Sequence, residues 1–354
     1  MKNFWQKLDR PILTLAPMAG FTDSAFRQIC RKYGADVVYS EMASVSGLFY
    51  NPKKTLELLK FNKKERPYVV QLFGSNPEHF AKATKIITEK IKPDGIDINF
   101  GCPVKKVMKT GAGCALMLNY KLARKIIQAV CENTNLPVSI KIRSGVSKAK
   151  LWESQSFALE KETAVNFIKK IKDLPFQVVM VHCRTYEQGF SGTPDYSIAE
   201  KIKKIIPDKI VLANGGIMTS EDGAKILKKY TNIDGIGIAR GALGRPWIFK
   251  EIKSLLKCHP ERSAAKSKDL IRLDSLPTGR QARGLGMTNT YDFLKTSEIL
   301  LEHAKLIYKN KGAQGIKEFR AHIGWYIKGF PGASDLRKKL VQVKNLEEIK
   351  KILK

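Results

Sequence analysis

The chain has 354 residues, 43% of them hydrophobic, and carries 63 Lys and Arg against 33 Asp and Glu, a net charge of +30. That is enough apolar material for one large domain plus a smaller one. Six scattered cysteines without a C-x-x-C pair argue against a zinc site or a disulfide framework and for a reducing, cytoplasmic setting.

No apolar run is long enough to span a bilayer, and neither a membrane nor a metal partner is expected. The short apolar stretch 11–19 has no clear cleavage site and charged residues follow closely, so a signal peptide is not expected either. A charge of +30 points to a polyanionic partner. Nucleic acid comes ahead of membrane, because no basic amphipathic anchor stands out. A lysine-rich composition alone would give the same balance, so charge does not decide the matter.

Eight short, β-branched apolar runs recur at 12–18, 37–42, 68–74, 95–101, 137–145, 178–185, 210–217 and 235–241, with amphipathic helix-length segments such as 78–91 and 121–134 between them. Near-continuous hydrophobic strands alternating with helices predict an α/β fold, a (β/α)8 TIM barrel over residues 1–250. A doubly wound sheet would alternate in the same way. It would usually want G-x-G-x-x-G after the first strand, and Ala16-Pro17-Met18-Ala19-Gly20 is not that.

In such a barrel the chemistry sits where the strands end. The first strand delivers Pro17, Met18 and Ala19 there, the second Glu41 and Met42, and the third Gln71. In the fourth, Ile96 and Ile98 alternate as a buried strand that runs into Gly101-Cys102-Pro103. The proline should end the strand and leave Asn99 and Cys102 at the mouth. A thiol on a loop near lysines can act as acid, nucleophile or ligand, although a lone cysteine is often only structural. The fifth strand delivers Lys141 and Arg143, the sixth His182 and Arg184, the seventh Asn214, Gly215 and Gly216, and the eighth Ala239, Arg240 and Gly241. Glycine-rich turns after the last two strands suit a phosphate bound by bare backbone N–H groups, with Arg240 adding charge. Lys141, directed into a barrel mouth, needs an anion or a polar ring. The electron-rich edge of a reduced flavin would serve, and Gln71 and Asn99 could hydrogen-bond the ring or a substrate.

Past Trp247 the barrel pattern stops. Residues 257–290 have little periodicity and read as an exposed, disordered insertion. Helical signal returns at Thr290. Ile316, Phe319, Ile323, Tyr326 and Ile327 make an apolar stripe, with Lys317, Arg320 and Lys328 off it. A basic face beside Trp325 and Tyr326 suits RNA, and a small bundle with a solvated basic face would read the same way. Residues 334–354 read as a final lysine-rich helix, so 291–354 is expected to be a small helical domain.

These residues, in this order, resemble the tRNA-dihydrouridine synthases, and among them the bacterial B-type branch. The likeness rests on Leu15-Ala16-Pro17-Met18-Ala19-Gly20-Phe21-Thr22-Asp23, Gln71-Leu72-Phe73-Gly74, Asp97-Ile98-Asn99-Phe100-Gly101-Cys102-Pro103 and Lys141-Ile142-Arg143. It continues through His182-Cys183-Arg184-Thr185, Asn214-Gly215-Gly216-Ile217, the run from Arg240 to Trp247, and Arg320-Ala321-His322-Ile323-Gly324-Trp325-Tyr326. It covers nearly the whole chain except the insertion.

The resemblance implies a TIM barrel carrying FMN, followed by a helical tRNA-binding domain, in a monomeric enzyme. It implies reduction of the uracil C5=C6 bond in tRNA with NADPH as usual donor. By that likeness Pro17, Met18, Ala19, Gln71, Lys141, His182, Asn214, Gly215, Gly216, Ala239 and Arg240 hold FMN, and Cys102 donates the proton. Asn99, Lys106, Arg143, Arg184, Lys317, Arg320 and His322 are expected on the substrate side. Gly216 departs from the pattern, since B-type members usually have Asp there. Cys114 replaces a usual small serine, and Phe190 and Tyr196 stand near an expected Tyr and Trp. Two other readings compete: an FMN-dependent barrel oxidoreductase acting on a small molecule, and a non-catalytic RNA-binding protein that kept the barrel. The charge and the basic helices weigh against the first, and an intact Cys102, Lys141 and both phosphate turns against the second.

Overall fold

The computed structural model describes residues 3–147, 161–257 and 293–353. Residues 1–252 form one unit and residues 253–354 another.

The first unit is a closed parallel barrel. Its strands are β1 (Ile12–Leu15), β2 (Val37–Ser44), β3 (Tyr68–Phe73), β4 (Gly95–Phe100) and β5 (Val138–Arg143). A small antiparallel pair follows, β6 (Gly145–Ser147) with β7 (Lys161–Thr163), and then β8 (Val178–His182), β9 (Ile210–Asn214) and β10 (Gly235–Ile238) complete the ring. The order around the barrel is β1-β10-β9-β8-β5-β4-β3-β2. The eight predicted runs are therefore the eight barrel strands, and only the β6–β7 pair was not foreseen. Strands buried on both faces must be apolar almost throughout, and β1, β4, β8, β9 and β10 are buried at every position.

The barrel interior changes character along its axis. Trp5, Ile12, Val37, Val69, Val178 and Ile210 cluster where the strands begin, joined by Tyr39, Met180 and Leu212. Polar residues of the barrel strands, Gln71, Asp97, Asn99 and Asn214, are buried farther along them. The helices between strands present one apolar stripe to the barrel. In Tyr120–Cys131 the buried residues are Ala123, Ile126, Ile127 and Val130, at helical spacing.

One buried ion pair braces the turn after β1. Arg27 Nε donates to Glu65 Oε2 at 2.6 Å, and the same guanidinium donates to the carbonyls of Thr22 and Lys60. Glu65 accepts in addition from Ser24 Oγ and the Asn62 N–H. Removing one partner of such a pair leaves a charge with no compensation. Arg27→Met is therefore expected to cost about 3–5 kcal/mol of stability, measured by denaturant unfolding.

The second unit contains a helix from Phe293 to Tyr326, broken at Gly312, where φ is +57°. The single final helix expected over 334–354 is instead two, Ala333–Leu340 and Leu346–Leu353. Local capping and burial separate them. Asn345 Oδ1 accepts from the Glu348 N–H while the Glu348 carboxylate accepts from the Lys344 N–H, and Val343 is buried. Such reciprocal bonds begin a new helix. The expected insertion, apart from Lys257, lies outside the described residues. Among the described residues no helix is long and apolar enough to cross a membrane, and no group of three or more His, Cys, Asp and Glu could hold a metal ion.

Candidate active site

Because all eight barrel strands are parallel, their carboxyl ends open on one mouth. The expected barrel residues converge there. Pro17, Met18 and Ala19 follow β1, and Gln71, Asn99, Lys141, His182 and Asn214 are the last or near-last residues of β3, β4, β5, β8 and β9. Lys141 pairs in register with Asn99, and His182 with both Arg143 and Asn214. Gly215 and Gly216 follow β9, and Ala239 and Arg240 follow β10.

The strand β4 ends as its side chains dictate. Asn99 Oδ1 accepts from the N–H groups of Gly101 and Cys102 at 3.0 and 2.8 Å, closing a turn that lifts Cys102 off the strand. The Cys102 carbonyl accepts from the Cys114 N–H at 3.1 Å. Gly113 makes this approach possible, since its φ is +63° and a Cβ there would lie 2.6 Å from that carbonyl oxygen. Cys102 is 8% exposed and sits with Val107 and Ala112 against Met42 and Phe73. This apolar setting pushes its thiol above the ordinary value, and the nearby Arg143 and Lys141 offset only part of that, so the thiol is protonated at neutral pH.

Beneath this loop runs a chain of buried polar side chains. Asn99 Nδ2 donates to Gln71 Oε1 at 2.9 Å, Gln71 Nε2 to Asp97 Oδ2 at 2.7 Å, and Ser139 Oγ to Asp97 Oδ1 at 2.5 Å. Burial lifts the Asp97 carboxyl to about 6, with its hydrogen bonds and Lys141 acting the other way.

The wall beside β4, formed by β5 and β8, is cationic. Burial, and after it Arg143, brings the Lys141 ammonium down to about 8, and Lys141 makes no hydrogen bond or ion pair with the described residues. His182 is brought down to about 2 by burial and by Lys141, Arg143, Arg184 and Arg240, so its ring is neutral. Its buried Nε2 has no hydrogen-bond partner among the described residues, and neither does Nη1 of the buried Arg184. Arg143 itself donates to the carbonyls of Gly101, Thr185 and Gly189, tying the β4 loop to the β8 loop. Phe190, 60% exposed, lies 4.9 Å from the Arg240 guanidinium and 5.6 Å from that of Arg143. The turn after β9 has no room for side chains. Gly215 and Gly216 have φ of +103° and +75°, and a Cβ on Gly216 would lie 2.6 Å from Pro194. Tyr196 Oη donates to the Gly215 carbonyl at 2.6 Å and fixes that turn. A surplus of cations, an unpartnered neutral imidazole and a side-chain-free turn together suit an anionic ligand with hydrogen-bonding edges.

Of the remaining expected residues, Lys106 is exposed on the short helix Lys105–Met108, directly after Cys102. Lys317 is exposed in the helical unit. Arg320 is committed elsewhere: it donates to the carbonyls of Gln342 and Val343. His322 is 2% exposed and packs against His303 and Phe319 in that unit's interior. Sequence reasoning passed over Asp97, Ser139 and Gly113. Asp97 was visible as a carboxylate inside an apolar strand, but its partners lie on neighbouring strands at positions only the register reveals.

Comparison with known proteins gives the family of the chain. The family model for dihydrouridine synthase (Dus) matches residues 14–354. The chain is 34% identical over 316 residues to tRNA-dihydrouridine synthase B of Shewanella oneidensis, covering 89% of this chain and 86% of that one. It is 33% identical over 326 residues to the protein of the same name from Pseudomonas aeruginosa, with 92% and 86% covered. It is 30% identical over 340 residues to a probable tRNA-dihydrouridine synthase of Aquifex aeolicus, with 95% and 93% covered. Among solved structures, a 2-naphthoyl-CoA reductase complex shares the fold, with a TM-score of 0.52 at 11% identity over 68% of this chain and 50% of that one. A family model that spans the barrel and the helical unit alike assigns the chain to the dihydrouridine synthase family.

Proposed function

We propose that this protein reduces the C5=C6 bond of uridines in tRNA to 5,6-dihydrouridine, with FMN as its cofactor and NADPH as the electron donor, in the cytoplasm. The observation that carries the reading is a protonated, buried thiol at the same barrel mouth as a cationic, anion-seeking wall, in a chain of this family. The residues present fit FMN. Gly215, Gly216 and Arg240 suit its phosphate, Lys141 and the unpartnered His182 Nε2 suit electron-rich edges of the ring, and Pro17, Met18, Ala19, Asn214 and Ala239 complete the rim. When bound and reduced, the flavin supplies a hydride for C6 of the uracil.

The chain's own residues account for the rest. Cys102 donates its proton to C5, which balances the added hydride as two hydrogens gained, and the resulting thiolate is reprotonated from solvent. Burial keeps the thiol in the donor form beforehand. Asn99 holds Cys102 by its backbone N–H. Lys106, exposed on the next helix, meets RNA phosphate, as does Lys317 in the helical unit. Arg143, Arg320 and His322 serve mainly to hold loops and core, by the contacts described above. The net charge of +30 supports a polyanionic substrate, and a small molecule needs no such charge.

The test is mass spectrometry of tRNA from a strain that lacks dihydrouridine, after this protein is supplied. A gain of two hydrogens on a uridine is the expected result and maps the position. No gain from yellow, FMN-loaded protein that instead reduces a small enone would overturn the tRNA reading.

A further inference from the structure

The chain of buried hydrogen bonds below Cys102 has a direction. An ionised carboxylate only accepts, whereas each amide side chain presents one accepting and one donating end. Both oxygens of Asp97 are taken, one by Ser139 Oγ at 2.5 Å and one by Gln71 Nε2 at 2.7 Å. With its nitrogen turned to Asp97, Gln71 must turn Oε1 to Asn99. Asn99 must then answer with Nδ2, at 2.9 Å, and that leaves Oδ1 for the N–H groups of Gly101 and Cys102. Reversing any one amide sets donor against donor at the next link. The reversed chain is excluded at both ends, by two backbone N–H groups that cannot accept and by a carboxylate that cannot donate.

We propose that Asp97 is the positioning residue of the Cys102 loop, acting through Gln71 and Asn99 to fix which end of each amide faces the next. Asp97 touches neither the thiol nor the mouth. Its carboxyl, lifted by burial to about 6, is ionised at pH 7, with Lys141 as the cation near it. Ser139 anchors the carboxylate from β5, where Asp97 and Ser139 are register partners, and Gln71 is the register partner of Asp97 on β3. Three adjacent strands thus hold one side-chain orientation and pass it to the loop. The consequence for turnover rests on Cys102 being the acid; the direction of the chain does not.

The experiment compares D97N, Q71E and the double variant Q71E/D97N in the full-length protein. An amide at position 97 can donate to Gln71 as well as accept from it, so D97N removes the restraint at that end and leaves only the Gly101 and Cys102 N–H groups to oppose the reversed chain. In the double variant the carboxylate at position 71 accepts from the amide at position 97 on one side and from Asn99 on the other. That restores the original direction at unchanged total charge. Q71E alone keeps the direction as a neutral acid that donates to Asp97.

Amide hydrogen exchange at Gly101 and Cys102, and the alkylation rate of Cys102 by iodoacetamide, are read without flavin or tRNA. D97N should change both by tenfold or more, Q71E by less than threefold, and the double variant should return both to within threefold of wild type. Dihydrouridine formation should fall in D97N through kcat rather than KM for tRNA. If D97N does not fold, recovery of folded protein by the double variant is the same rescue. Exchange and alkylation in D97N within twofold of wild type, or a folded double variant no closer to wild type than D97N, overturns the proposal. If loop readouts respond while no variant, nor the wild type, modifies tRNA, the functional reading fails and the positioning role stands.

Discussion

Cys102→Ala should leave flavin bound and reducible by NADPH while dihydrouridine formation falls on the order of 10²- to 10⁴-fold, the usual contribution of a positioned general acid. The expectation follows from where the thiol sits. Val107, Ala112, Met42 and Phe73 surround it, and burial holds it above its ordinary value although Arg143 and Lys141 pull the other way. A nucleophilic cysteine would want the opposite setting, with the thiolate favoured. The sign gives a further check. The donor form is complete below the raised value, so activity should show no loss from this group as pH rises from 6 to 8. Cys102→Ser keeps the shape but offers a hydroxyl that gives up its proton far less readily, and should lie nearer to the alanine variant than to wild type. Stopped-flow absorbance separates the two half-reactions: flavin reduction by NADPH unchanged, flavin reoxidation by tRNA slowed. A Cys102→Ala protein that reoxidises with tRNA within tenfold of wild type would mean the proton comes from elsewhere.

Much of this site could be read from the sequence because the barrel makes it so. Strands buried on both faces stand out as apolar runs, and in a parallel barrel every run ends at the same mouth. Pro17, Gln71, Cys102, Lys141, His182 and Gly216 could therefore be assembled without coordinates. What stayed hidden depends on register or on competition for a cation. Asp97 and Ser139 are 42 positions apart, and only the β4–β5 pairing makes them neighbours. Arg143 and Arg320 read as cations for RNA. A guanidinium with five donors satisfies stray carbonyls equally well, and both arginines are used that way. His322 sits within a basic, aromatic segment, but its position on the helix turns it toward His303. The split of the last helix was signalled by Asn345 and Glu348, a capping pattern that the run of lysines around it obscures.

Lys141→Met should weaken flavin binding by 10- to 100-fold, about what a charge-assisted hydrogen bond of roughly 1.5–3 kcal/mol is worth, and at the same time stabilise the flavin-free protein. The two effects share one cause. Burial, and secondly Arg143, brings the ammonium from 10.5 down to about 8, and the lysine has no hydrogen bond or ion pair with the described residues. The unfolded chain keeps the ordinary value, so below pH 8 the folded state holds a charge that water would hold better. That penalty is on the order of 3 kcal/mol at about 1.4 kcal/mol per pKa unit. Between about pH 8 and 10.5 the unfolded state binds more protons than the folded one, so this contribution makes stability rise with pH. At pH 7 the flavin-free methionine variant should therefore melt higher than wild type, and the difference should shrink as pH approaches 10. Flavin affinity should run the other way. An anionic ligand selects the ammonium, so wild-type affinity should be flat below pH 8 and fall above it, by up to tenfold per pH unit, while the methionine variant shows no such break. Fluorescence titration of flavin into the stripped protein across pH 6–10, beside thermal melts of the same samples, reads both. Equal melting temperatures at pH 7 with unchanged flavin affinity would mean that Lys141 already has its counter-charge within the fold, and that the anion-seeking wall is built by the arginines alone.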